Sequence, residues 1–137
     1  MKELSRIASA AQASTTMAID SMFKQMKADG IDVIGFAAGE PDFNTPDEIK
    51  EAGIAAIINN NTRYTPARGT VELRQAVCDR MKADCGVEYV PNQVVVASGA
   101  KHAVYIALRA IVNPGDEVIL PAPYWVSYIE LIKMVGG

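Results

Sequence analysis

This sequence of 137 residues is short of several things that would fix its chemistry at once: it has two cysteines, one histidine and one tryptophan. Cys78, Cys85 and the lone His102 are too few for a zinc cluster or a Cys–His dyad, so no metal site is expected. The positive groups near the cysteines, Arg74, Arg80 and Lys82, are spread around a helix, which argues against an activated thiolate; both read as reduced thiols. Basic charge is also scarce. Thirteen Lys and Arg against sixteen Asp and Glu leave a net charge of −3, and no basic stripe offers a footprint for nucleic acid. Long apolar runs are missing too. The longest, Ala103 to Val112, is interrupted by Arg109 and falls short of the roughly 20 residues a membrane span needs. The N-terminus, Met1-Lys2-Glu3-Leu4-Ser5-Arg6, has no secretory apolar core, and Glu3 argues against a transit peptide. A cytoplasmic protein without membrane or nucleic-acid partners is expected.

Half of the residues are hydrophobic, enough for a chain of this length to bury roughly two thirds of the surface its unfolded form exposes. Apolar residues at Ile19, Met22, Phe23 and Met26 recur at helical spacing, with Ser14 or Thr15 as cap and Gly30 as stop. Ile31 to Phe36 then reads as extended and Gly39-Glu40-Pro41-Asp42 as a loop. Thr45-Pro46-Asp47-Glu48 predicts a helix start, with Thr45 at the N-cap, Pro46 first in the helix and Glu48 closing a capping box. That helix runs to about Asn59. After a loop at Tyr64-Thr65-Pro66-Ala67-Arg68-Gly69, Leu73, Ala76, Val77 and Met81 mark another helix ending near Gly86.

From Pro91 the pattern changes. Val94-Val95-Val96-Ala97 is a β-branched run of the kind buried in a parallel sheet, followed by a helix with Val104, Ala107, Leu108 and Ile111 on one face. Asn113-Pro114-Gly115-Asp116 turns into a second predicted strand, Glu117-Val118-Ile119-Leu120. Strand, helix, strand is a βαβ unit, and the expected class is α/β. There are no internal repeats.

Two places carry candidate chemistry. Ser98-Gly99-Ala100-Lys101 leaves a strand and opens a helix, so unpaired amides and the positive helix end suit a phosphate. With a single glycine the turn matches neither G-x-G-x-x-G nor G-K-[ST], and a ligand-free βα turn explains these four residues equally well. Pro121-Ala122-Pro123-Tyr124-Trp125 ends the second strand on the same sheet edge. Trp125 is either core packing or a flat wall against a heteroaromatic ring. Lys101 is a solvated charge, a phosphate contact or an amine nucleophile.

Jointly, Gly39-Glu40-Pro41-Asp42-Phe43-x-Thr45-Pro46, Tyr64-Thr65-Pro66-x-x-Gly69 with Leu73-Arg74, Ser98-Gly99-Ala100-Lys101-x-Ala103, Asn113-Pro114-Gly115-Asp116-Glu117-Val118 and Pro123-Tyr124-Trp125 resemble the class I pyridoxal-phosphate aminotransferases of fold type I, nearest to the bacterial aspartate aminotransferase branch. The resemblance implies an N-terminal portion of that fold: an arm and small-domain segment over 1–45, then the first part of a large cofactor-binding domain over 46–137, the start of a mostly parallel sheet flanked by helices. It implies pyridoxal 5'-phosphate as cofactor, its phosphate on the amides of Gly99, Ala100 and Lys101, its ring against Trp125, and a Tyr64 that reaches the phosphate of the partner in a homodimer. Gly39, with Trp125, would meet the amino-acid substrate, which exchanges its amino group with a 2-oxo acid. The family's Schiff-base lysine matches no residue here, because Lys101 falls on the phosphate turn; this chain alone is expected to be inactive. A carbon–sulfur lyase of the same fold, or a non-catalytic phosphate-binding module, is the alternative. Two strands are also few beside the roughly five or six of a mean sheet.

Overall fold

The computed structural model describes residues 3–10, 13–36 and 39–137. Its helices are α1 (Arg6–Ala10), α2 (Thr15–Ala28), α3 (Asp47–Ile58), α4 (Val71–Cys85), α5 (Ala100–Ile111) and α6 (Ser127–Val135), with a 3₁₀ turn at Pro91–Gln93. The chain divides into two compact units, one of residues 1–45 with 113–137 and one of residues 46–112.

In the first unit, α2 begins where the sequence predicts: the Ser14 hydroxyl accepts from the Met17 amide at 3.3 Å, satisfying one orphan donor of the first turn. The helix ends as Gly30 takes φ +78°. Its less exposed side carries Thr16, Asp20, Phe23 and Met26, whereas Ile19 and Met22 are half or more exposed. The predicted apolar face is therefore rotated. Asp20 explains the shift, since it pairs with Lys24 at 2.8 Å and takes a place on the half-buried side; that hydrogen bond, then the Asp20 charge, holds the Lys24 ammonium above its usual range. The Phe23 ring lies against Gly35, where an added Cβ would come within 2.9 Å of three ring carbons. Helix α6 buries Leu131 and Val135, four apart on one face. Its αL cap at Gly136 returns to the turn after α5: the Gly115 amide donates to the Gly136 carbonyl at 2.7 Å.

In the second unit, α3 starts one residue later than predicted. Pro46 has ψ 145° and stands at the N-cap, with no side-chain cap. Thr45 is thus too far out to cap, and the predicted capping box does not form. Asp47 and Glu48 occupy the first turn instead, where carboxylates favour the positive helix end. Helix α4 has the cap that the sequence reading lacks: the Thr70 hydroxyl accepts from the Leu73 amide at 3.3 Å. At its other end Gly86 takes αL at φ +69°. The buried positions are Arg74 and Cys78, with Leu73 and Val77 more exposed, so this face too is turned from the predicted one. Cys78 is buried and Cys85 exposed, both free; seven residues along a helix separate them by about 10.5 Å, beyond disulfide reach.

Among the described residues there is no strand. Residues 94–97 and 117–120 form no ladder; Val94, Val96, Val118 and Leu120 are half-buried and Val95 and Ile119 exposed, a two-residue alternation that half-buried Ala97 interrupts. A ladder needs a neighbouring strand to receive its amides, and the Val96 amide donates instead to the Arg68 carbonyl at 3.0 Å. The apolar core is correspondingly thin. Among the described residues its fully buried members are Cys78, Leu131 and Val135.

Candidate functional site

The predicted phosphate turn opens α5. Gly99 sits at the N-cap with φ +83° and ψ 166°, a region essentially confined to glycine that costs an L side chain about 1–3 kcal/mol, and no atom lies within 4 Å of where its Cβ would be. No side chain caps this helix end. The first bond back into the turn is Ala103 to Gly99 at 3.2 Å, so the amides of Ala100, Lys101 and His102 have no intrahelical acceptor. Open space above a glycine and three free amides at a positive helix end fit a phosphate dianion well. The sole histidine serves the turn locally. Its Nδ1 accepts from the Ser98 amide at 3.1 Å. Nothing in the sequence spacing singled out that bond.

The turn is approached by a fixed backbone. Gly69, at φ +89°, packs so closely on Val96 that an added Cβ would lie 2.6 Å from its Cγ2, and Arg68 Nη1 donates to the Asn92 carbonyl at 2.9 Å. Arg74 adds two bonds, from Nε to the Gly69 carbonyl at 3.2 Å and from Nη1 to the Pro91 carbonyl at 2.8 Å. Sequence reasoning includes Arg74 in a motif without giving it this role. Tyr64, in the same loop, is wholly exposed.

Gly39 and Trp125 belong to the first unit. Gly39 has open space around its α-carbon. Trp125 is 51% exposed in this chain, and its carbonyl accepts the Tyr128 amide at 3.0 Å as α6 begins. Lys101 is exposed at the first turn of α5. Among the described residues no cluster of three His, Cys, Asp or Glu could hold a metal ion, and no helix is long and apolar enough to cross a membrane.

The backbone as a whole is that of a fold type I aminotransferase segment. It superposes on the aspartate aminotransferase from Thermus thermophilus with maleate with a TM-score of 0.95 at 39% identity, covering 100% of this chain and 36% of that one. The family model described as "Aminotransferase class I and II" matches residues 31–137, and the chain belongs to that family. It is 52% identical over 124 residues to an aspartate aminotransferase of Bacillus sp. (strain YM-2), covering 90% of this chain and 32% of that protein. Against the Bacillus subtilis (strain 168) aspartate aminotransferase it is 47% identical, covering 98% and 34%. The chain thus spans about a third of the length of these relatives. Enzymes of this family depend on pyridoxal 5'-phosphate.

Proposed function

We propose that this chain is the N-terminal part of a pyridoxal-phosphate-dependent aminotransferase that moves an amino group between an aspartate-like amino acid and a 2-oxo acid. One observation carries the reading: the uncapped amides of Ala100 and Lys101 above an open Gly99 occur in a chain 52% identical to an aspartate aminotransferase. When bound, the cofactor supplies the electron sink for bond cleavage next to the amino group. The chain's own residues bind and orient. Gly99, Ala100 and Lys101 form the phosphate turn: the Ala100 and Lys101 amides hold the phosphate, the Lys101 ammonium adds charge, and Gly99, whose own amide donates to the Ala97 carbonyl at 2.9 Å, leaves the approach open. Trp125 offers an aromatic face to the pyridine ring, and its exposure suits that part. The Gly39 backbone, left open by its missing side chain, receives the substrate carboxylate, with Trp125 beside the substrate as well. Tyr64 donates its hydroxyl to the phosphate held by the partner subunit of a homodimer, which accounts for a tyrosine fully exposed on its own chain.

The family's Schiff-base lysine, which would carry the cofactor and shuttle the substrate proton, has no counterpart in these motifs, and on this reading the chain by itself is inactive. Residues 1–45 act as arm and small-domain segment and residues 46–137 as the first part of a large domain. The extended runs 94–97 and 117–120 become parallel strands of a βαβ unit once neighbouring strands receive their amides. The enzyme works in the cytoplasm. Transamination of aspartate by the full-length protein, with none by the 137-residue chain, is the expected result of a coupled assay. Turnover by the chain alone, or elimination without amino transfer by the full-length protein, contradicts it.

A further inference from the structure

Arg74 is 8% exposed, the only buried polar residue among those described, and among the described residues no carboxylate pairs with it. Burying a charge without a counter-ion costs several kcal/mol, and a methionine would cover the same helix face at no such cost. The guanidinium is used instead on two main-chain carbonyls, Gly69 at 3.2 Å and Pro91 at 2.8 Å, a span that suits a rigid planar fork. Those carbonyls lie on the two segments that approach the phosphate turn. Gly69 is in contact with Val96, the Val96 amide donates to the Arg68 carbonyl, and the Arg68 side chain closes on Asn92. The loop bearing Tyr64 and the run 94–97 that leads into Ser98 are thereby joined into one clip.

We propose that Arg74 is a positioning residue for the phosphate group. By clamping the Gly69 and Pro91 carbonyls it fixes the run that aims the free Ala100 and Lys101 amides beside the open Gly99, so that a phosphate monoester meets a preorganised turn. Preorganisation raises affinity by removing an ordering cost at the moment of binding. The inference rests on the phosphate-turn reading given above and goes beyond it in assigning a residue that never touches the ligand.

The test is a titration of the ¹⁵N-labelled chain with inorganic phosphate, following amide resonances, for the wild type, Arg74→Lys, Arg74→Met and Arg68→Met, each melted in parallel by circular dichroism. Lysine keeps the charge but cannot span both carbonyls, and Arg68→Met removes only the exposed clip to Asn92. At a temperature where the variants are folded, Arg74→Lys should bind phosphate about threefold to tenfold more weakly, the worth of a hydrogen bond or so, and Arg68→Met should lie between it and the wild type. Should Arg74→Met fail to fold, the other two variants decide the matter. Unchanged phosphate affinity in Arg74→Lys alongside a lowered melting temperature makes Arg74 a fold residue alone and overturns the proposal. Absence of phosphate-dependent shifts at Gly99, Ala100 and Lys101 in the wild type overturns the phosphate-turn reading itself, and this inference with it.

Discussion

Replacing Gly69 with alanine should be among the most damaging single-methyl changes in the second unit, for two separable reasons. Its φ of +89° lies where an L side chain is strained, a cost of about 1–2 kcal/mol. The new Cβ would also lie 2.6 Å and 2.8 Å from Cγ2 and Cβ of Val96, and overpacking of that kind costs about 1–3 kcal/mol more. The two together give about 2–5 kcal/mol. Gly86 is the internal control: at φ +69° with nothing within 4 Å, Gly86→Ala carries the strain alone, about 1–2 kcal/mol. Urea unfolding followed by circular dichroism measures both. A double-mutant cycle then separates the causes, because Gly69→Ala in a Val96→Ala background should lose the steric part and keep the strain. Equal destabilisation by Gly69→Ala and Gly86→Ala, or no recovery with Val96→Ala, would refute the close approach of this loop to the run before the phosphate turn.

Thr70→Ala should destabilise the chain by about 1 kcal/mol through loss of the α4 cap, whereas Thr45→Ala should be near neutral because Thr45 caps nothing; equal losses in the same urea assay would restore the capping box that the sequence suggests. In the full-length protein, Trp125→Ala should weaken retention of pyridoxal phosphate on dialysis, and unchanged retention removes Trp125 from the site. Borohydride treatment of the chain with pyridoxal phosphate should leave no stoichiometric adduct at any one lysine by mass spectrometry. A single fully labelled lysine would show that this segment carries its own attachment point.

The local geometry of the candidate phosphate turn was legible because the relevant signals are local. The turn at Gly99 needs a positive φ that glycine supplies, and its helix needs nothing beyond the next three residues to leave amides free. Helix ends at Ser14, Gly30 and Gly86 followed from the same local chemistry. What was not legible depended on long-range choices. The faces of α2 and α4 were misplaced because apolar periodicity gives no weight to a charge turned inward: half-buried Asp20 pairs with exposed Lys24 on its own helix, and buried Arg74 bonds the Gly69 and Pro91 carbonyls. The value of Arg74 lies in carbonyls outside its own helix, which spacing cannot reveal. The predicted strands keep most of their alternation yet form no ladder, since a strand is a property of a pair, and the Val96 amide finds the Arg68 carbonyl instead. Trp125, an exposed aromatic, and α6 after it were equally beyond a periodicity argument.

The central claim is that this segment holds a phosphate cup at the start of α5. An amide-resolved titration of the chain with pyridoxal 5'-phosphate, and in parallel with pyridoxal lacking the phosphate, tests it most directly. The account predicts saturable shifts centred on Gly99, Ala100 and Lys101 with the phosphate ester and none there with pyridoxal. Identical responses to the two compounds, or shifts confined to other residues, would contradict it.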